Sequence, residues 1–211
     1  MIAALYVQTG GCYCGLEDVD PWDEERDARL YAGPWPVIAH PPCQRWGRYY
    51  HGGPSWLKAG NPPKILGDDE GCFSAALAAV RKWGGVLEHP KDSKAWDHFG
   101  IRRPRSDGGW YPSGDGAVWS GLTCCVEQGH YGHLARKPTW LYAVGLDQYA
   151  YQLSGEPHLI WGPSVVEGRT TPSKARGMCE RLSSRQRQQT PPAFRDLLIE
   201  LASTTRREGL S

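Results

Sequence analysis

The stretch Val37-Ile38-Ala39-His40-Pro41-Pro42-Cys43-Gln44-Arg45-Trp46-Gly47-Arg48 runs from an apolar segment through two prolines to a thiol among cationic and aromatic residues. A structural cysteine normally sits within an apolar run. A thiol that follows a rigid turn, with Arg45 and Arg48 nearby, is expected to have a lowered pKa and to act as a nucleophilic thiolate. Val86-Leu87-Glu88-His89-Pro90 repeats the pattern with a carboxyl group at the end of an apolar run. Together Cys43 and Glu88 supply a nucleophile and a proton donor to one substrate. The plainer alternatives are a packed thiol and a salt-bridged carboxylate. Imidazole as a group titrates near neutrality, which makes His40 and His89 each a candidate base, or equally a loop histidine bonded to backbone.

These groups meet only if strands deliver them to one edge. Leu5-Tyr6-Val7 reads as a short strand entering the glycine turn Thr9-Gly10-Gly11, and an acidic, irregular piece runs on to Gly33-Pro34. Val37-Ile38-Ala39 is apolar on both faces, as a central parallel strand is. Residues 49–67, rich in Gly and Pro, read as a loop over the site. From Asp68-Asp69 as N-cap, the run EGCFSAALAAVRKW predicts a helix stopped by Gly84-Gly85. Val86-Leu87-Glu88 then closes a strand–loop–helix–strand unit. A short helix is expected at Lys94-Ala95-Trp96, loop over 100–121, and an antiparallel pair from 123–128 and 139–144. A last helix follows Thr190-Pro191-Pro192, where proline suits the first turn. The fold class expected is a compact, Rossmann-like α/β domain, with a mainly parallel sheet, flanking helices and its ligand at the carboxyl ends of the strands.

The chain has 211 residues, enough for one domain with a real core. We read 1–211 as one catalytic domain with a basic C-terminal segment, about 169–211, packed on it. Seven scattered cysteines, no cationic leader and no long apolar run point to a soluble chain in a reducing, cytoplasmic compartment, away from any membrane. Ten Trp and ten Tyr against three Phe favour half-wet surfaces such as base-stacking platforms, or a small core built from large rings. Net charge is only +1, yet residues 17–27 carry seven acids against one arginine, and 169–207 carry nine bases against three acids. The basic third can track a phosphate backbone, or it is a solvated helix face.

The order of motifs resembles the DNA (cytosine-5) methyltransferases. HPPCQ is similar to their Pro-Pro-Cys-Gln nucleophile loop, LEHP to their Glu-Asn-Val or Glu-Asn-Pro motif, and EQGHYGHLARKPTWLYAVG to their Tyr-Gly and Gln-x-Arg-x-Arg stretch with its closing strand. ERLSSRQRQQTPPAFRDLLIELA resembles their C-terminal helix. The resemblance spans roughly residues 36–202. It implies that Cys43 adds to C6 of a flipped pyrimidine while Glu88 assists by protonating the ring. The departures are equally informative. About thirty residues separate Gly11 from Cys43, which leaves no room for the two strands with acidic ends that hold adenosylmethionine in that family. A large target-recognition domain is absent, the asparagine after the glutamate is His89, and only Arg136 and Lys137 remain of the arginine motif.

A chain that keeps the pyrimidine-attacking residues without the methyl-donor pocket is expected to perform another substitution at the same ring. It resembles the phage amino acid:DNA transferases of thymidine hypermodification, which act on 5-pyrophosphoryloxymethyluracil in double-stranded DNA. That resemblance implies a free amino acid as second substrate, glycine preferred, no resident cofactor, and a bacterial host cytoplasm if the chain is phage-encoded. A divalent ion accompanying the pyrophosphate is left open. Gln44, Arg45, Arg48, Arg136 and Lys137 are assigned to substrate and phosphate, and Thr9, Gly10 and Gly11 to the place vacated by the methyl donor. Trp46, Tyr49 and Tyr50 are assigned to the flipped base or its gap, and Arg181, Arg185 and Arg187 to the DNA backbone. The alternatives are an adenosylmethionine-dependent DNA pyrimidine C5-methyltransferase, a non-catalytic DNA-binding module, and a zinc protein using Cys12, Cys14, Cys124 and Cys125. The last has spacings unlike the usual paired motif, and no metal ligands are assigned.

Overall fold

The computed structural model describes residues 1–106, 108–114, 121–146, 159, 168–169 and 180–205. Seven strands form one sheet in the order β2-β1-β3-β4-β7-β6-β5. These are β1 (Ile2–Leu5), β2 (Val19–Trp22), β3 (Val37–Ala39), β4 (Gly85–Pro90), β5 (Tyr111–Pro112), β6 (Leu122–Glu127) and β7 (Pro138–Val144). A separate two-residue pairing joins β8 (Gly168–Arg169) to β9 (Glu180–Arg181). The helices are α1 (Gly53–Lys58), α2 (Cys72–Trp83), α3 (Ala95–His98), α4 (Ser184–Gln188) and α5 (Pro192–Ser203). Among the described residues no helix is long and apolar enough to cross a membrane.

The sheet is mixed rather than mainly parallel. β2, β1, β3 and β4 pair in parallel, whereas β4–β7, β7–β6 and β6–β5 are antiparallel and include the longest ladders. The cause is the connection after β4, which returns the chain through β6 before β7 enters beside β4 in the opposite sense. Alternation along β3 and β4 splits the interior in two. Ile38 and Val86 face the layer of Phe194, Leu198 and Leu201 from α5. Val37 and Leu87 face the layer of Phe73, Leu77 and Val80 from α2. Helix α2 stops at Gly84, and Gly85 has φ +115 with a notional Cβ only 2.0 Å from the Val37 carbonyl oxygen. Only glycine lets β4 approach β3 this closely.

Several local expectations shift for identifiable reasons. β1 ends at Leu5, two residues earlier than read, because Tyr6 has φ +59 and leaves the extended region. The acidic piece contains the edge strand β2, where Pro21 is tolerated because its missing N–H interrupts no second ladder. The glycine- and proline-rich 49–67 stretch contains α1, with Pro54 in its first turn. Helix α2 begins at Cys72, and Asp69 caps it from upstream by accepting from the Phe73 and Gly71 N–H groups at 2.9 and 3.1 Å. The short helix at 95–98, the β6–β7 pair and the helix after Pro191 occur where the pattern places them. Residues 170–179 and 206–211 of the basic segment lie outside the described residues; within its described part, α5 packs on the sheet.

Candidate functional site

The topology brings five chain segments to one edge. β1, β3 and β4 end there. Because β7 runs the other way, its first residues stand beside the last of β4, with Pro90 opposite Thr139 and Glu127 opposite Pro138. His40 follows β3, Glu88 sits near the end of β4, Gln128 follows β6, Lys137 precedes β7, and Tyr13 comes from the loop after β1. Carboxyl ends of parallel strands are where open α/β sheets hold ligands, since backbone groups and loop side chains converge there.

A buried hydrogen-bond chain crosses this edge. The Glu88 Oε2 atom lies 2.9 Å from His40 Nδ1, and Oε1 accepts from Gln128 Nε2 at 3.1 Å. Gln128 Nε2 also donates to Thr139 Oγ1 at 2.8 Å, and Thr139 donates to the Lys137 carbonyl at 3.0 Å. At the other end His40 Nε2 lies 2.9 Å from the Tyr13 hydroxyl. Burial pushes the Glu88 pKa up, but the His40 hydrogen bond and the positive charge of Lys137 outweigh it and hold it at about 2. The carboxyl group is therefore an ionised acceptor, and the expectation of a resting proton donor is corrected. With Glu88 ionised, Nδ1 of His40 is the donor to it, and at the ring's other nitrogen stands Tyr13, whose pKa burial raises well above the tyrosine norm.

Cys43 is half-buried at the start of the turn after β3, where its carbonyl accepts from Trp46 and Gly47 N–H groups. Its thiol pKa is raised, first by burial and then by the Glu88 charge, with Lys137 opposing. This reverses the expectation of a thiolate stabilised by the neighbouring arginines. Arg45 donates to the Tyr50 carbonyl at 3.4 Å, and Arg48 lies over the Tyr49 ring. The cation that acts on the thiol is Lys137, half a fold away in sequence.

His89 belongs to the other face of β4 and is buried. Its Nδ1 lies 2.7 Å from Ser93 Oγ, while Nε2 lacks a partner in hydrogen-bonding geometry and faces the Pro41 and Pro42 carbonyls. Burial lowers its pKa to about 4. A neutral ring stacked on Trp96 and edge-on to Phe73 supports the Pro-Pro turn, which is a different place from that of a solvent-facing base.

Trp46 is also corrected as a base-stacking residue. It is 2% exposed, packs on Phe73, His98 and Phe99, and donates from Nε1 to Asp69 at 2.7 Å. Tyr49 is exposed, Tyr50 half-buried, and Gln44 exposed in the turn. The Thr9 hydroxyl donates to Asp23 at 2.8 Å, Gly10 is open with φ +66, and the Gly11 N–H closes a turn on the Gln8 carbonyl. These three lie in the loop that carries Tyr13 to His40. Arg136 is exposed, and Lys137 donates from Nζ to the Gln189 carbonyl at 3.3 Å. Arg187 donates to the Ser183 carbonyl at the start of α4. Arg181 stands in β9 and Arg185 in α4; their side chains lie outside the described residues.

A cleft of ≈ 720 Å³ opens beside Cys43, with Arg48, Tyr50, His51, His89 and Lys94 in its wall. Tyr13, Gln128, Ser93 and Lys94 were missed as site residues in the sequence. Gln128 carried a usable signal, a polar residue at the end of a six-residue strand. Tyr13 carried none, since nothing in Cys12-Tyr13-Cys14 marks a partner 27 residues away. Among the described residues no group of three His, Cys, Asp or Glu side chains is placed to hold a metal ion, and Cys124 and Cys125 are buried within β6. Comparison with protein-family models, with curated proteins and with solved structures finds no match.

Proposed function

We propose that the chain is a DNA base-modifying transferase whose Cys43 adds to C6 of a flipped 5-pyrophosphoryloxymethyluracil. The Cys43 thiol gives its proton to solvent, and the thiolate forms the S–C6 bond and pushes the C5–C6 electron pair toward the C4 carbonyl as an enolate. Collapse of the enolate breaks the bond between the methylene carbon and the pyrophosphate oxygen, which departs with the electron pair and leaves an exocyclic methylene. The amine of a free amino acid, glycine preferred, adds to that carbon and loses a proton. Elimination of the thiolate then restores the C5–C6 double bond. Duplex DNA and an amino acid are the partners in this reading, and the bacterial cytoplasm is its setting. The fold is then a reduced, Rossmann-like core in which β7 runs against β4.

The observation that carries the reading is the placement of an electron-rich acceptor, Glu88, at the same sheet edge as Cys43. His40 and Gln128 both direct N–H groups at the carboxylate, so it is built to accept. Uracil N3 carries a hydrogen and donates, whereas cytosine N3 accepts and meets such a group only after protonation. At N3 a uracil ring therefore meets this carboxylate without prior protonation, whereas cytosine meets it unprotonated only through its N4 amino group. Lys137 offsets part of the negative potential that Glu88 imposes on the thiol.

The test is incubation of the protein with duplex DNA bearing 5-pyrophosphoryloxymethyluracil and a mixture of amino acids, followed by nucleoside mass spectrometry. The expected result is loss of pyrophosphate with gain of one amino acid, abolished in Cys43→Ser. An unchanged nucleoside profile, with methylation of the same DNA when adenosylmethionine is supplied, overturns the reading. Full activity of Cys43→Ser in cells would instead support a non-catalytic DNA-binding module.

A further inference from the structure

The cleft beside Cys43 has two walls, the turn at 47–51 and the turn at 90–94. They are fastened to each other and to the sheet. The Lys94 N–H donates to the Trp46 carbonyl at 2.9 Å, the Lys91 N–H to the Pro138 carbonyl at 3.0 Å, and the Ser93 N–H to the Pro90 carbonyl at 3.2 Å. Asp92 closes the second turn with φ +64, a left-handed conformation that Asp adopts more readily than most residues. Ser93 is locked further by His89, which also lines the cleft.

The charges on these walls are unbalanced. Arg48, Lys91 and Lys94 line the cleft against a single acid, Asp92. Lys91 is 3.7 Å from that acid. Arg48 and Lys94 make no ion pair among the described residues; they lie over the rings of Tyr49 and Tyr50 at 5.5 and 5.8 Å. Cations held by aromatic faces keep their N–H donors free while the rings limit where they point. A concave, aromatic-walled site with cations in excess concentrates positive potential and favours a compact polyanion.

We propose that this cleft binds a diphosphate group. On the transferase reading, on which the identity of the anion rests, it is the diphosphate carried by the base until the methylene–oxygen bond breaks, and free pyrophosphate after that. The excess of two positive charges offsets most of the roughly three negative charges of a diphosphate ester near neutrality and exceeds the single charge of a backbone phosphodiester. The cleft is also shared with the thiol, so the leaving group is received next to the carbon it leaves.

The experiment is calorimetric titration of the full chain with inorganic pyrophosphate at fixed ionic strength, on wild type, Arg48→Gln, Lys94→Gln and the control Lys58→Gln. Lys58 is exposed on α1 and does not line the cleft. The expected result is saturable binding, weakened about tenfold by each cleft variant, as loss of a charged hydrogen bond predicts, and unchanged in the control. Absence of saturable binding, equal displacement by the same concentration of sulfate, or indifference to both cleft variants overturns the proposal. A second arm measures affinity for unmodified duplex DNA. A diphosphate site leaves it nearly unchanged in the cleft variants, whereas a loss with a shallower salt dependence reassigns these cations to the DNA backbone and refutes the proposal. If pyrophosphate binds as expected but no amino acid is transferred, the transferase reading fails and the diphosphate site stands. Transfer without pyrophosphate binding has the opposite meaning.

Discussion

Replacing Glu88 by glutamine tests the electrostatic centre of the site. The carboxylate accepts from His40 and Gln128, and an amide oxygen can serve only one of those directions while its NH2 meets a donor in the other. Gln128 cannot simply rotate to help, because its Nε2 also donates to Thr139. A carboxyl group whose pKa falls from the ordinary 4.5 to about 2 on folding contributes about 3 kcal/mol of stability at pH 7. The folded pKa is the lower one, so this stability is fully present above pH 4.5 and is lost as pH falls through about 2. By about pH 3 less than half of it remains. Glu88→Gln is therefore expected to lose about 3 kcal/mol at pH 7, with the gap from wild type narrowing as pH falls below 4.5. Urea unfolding followed by tryptophan fluorescence at several pH values measures that gap, provided both chains keep the same m-value. Equal midpoints at pH 7, or a gap that does not change with pH, would refute the reasoning. It would also remove the ionised acceptor proposed to meet a uracil N3–H.

Other outcomes follow from the same geometry. Alkylation of Cys43 by iodoacetamide, read by peptide mass spectrometry, is expected to be slow near neutrality and still rising above about pH 8. Glu88→Gln should speed this reaction and Lys137→Gln slow it, and a rate that levels off below that pH contradicts the burial argument. Gln128→Leu removes two buried hydrogen bonds and is expected to cost roughly 1–3 kcal/mol in the same unfolding assay. Trp46→Phe should lose about 1 kcal/mol with its bond to Asp69 while leaving DNA affinity unchanged; weakened DNA binding at wild-type stability would return this ring to the interface. Gly67→Ala places a Cβ 2.8 Å from Trp46 Cη2 at φ +76 and is expected to destabilise by on the order of 1–3 kcal/mol.

Elements whose signals are local were legible from the residues alone. Alternating or continuous apolar runs marked β3, β4, β6 and β7, and an alanine-rich amphipathic run ending in Gly84-Gly85 marked α2. Pro191-Pro192 marked the start of α5. The sequence also marked Cys43 and Glu88 as chemistry-bearing side chains at strand ends. What it left open was everything that depends on neighbours distant along the chain. The sense in which β7 enters beside β4 decides that Lys137 and Gln128 stand at the same edge as Glu88, and no residue within β7 encodes that direction. Two arginines next to Cys43 in sequence turn away to a carbonyl and a ring, while burial and a carboxylate 45 positions later raise the thiol pKa. Trp46 and His89 are polar-edged rings that suit a wet surface as well as a core, and only the packing of α2 and α3 against the sheet sealed them inside. Propensity and pattern act over a few residues, whereas pKa, solvent exposure and the meeting of side chains are set by the tertiary field. The elements were therefore legible before the site was.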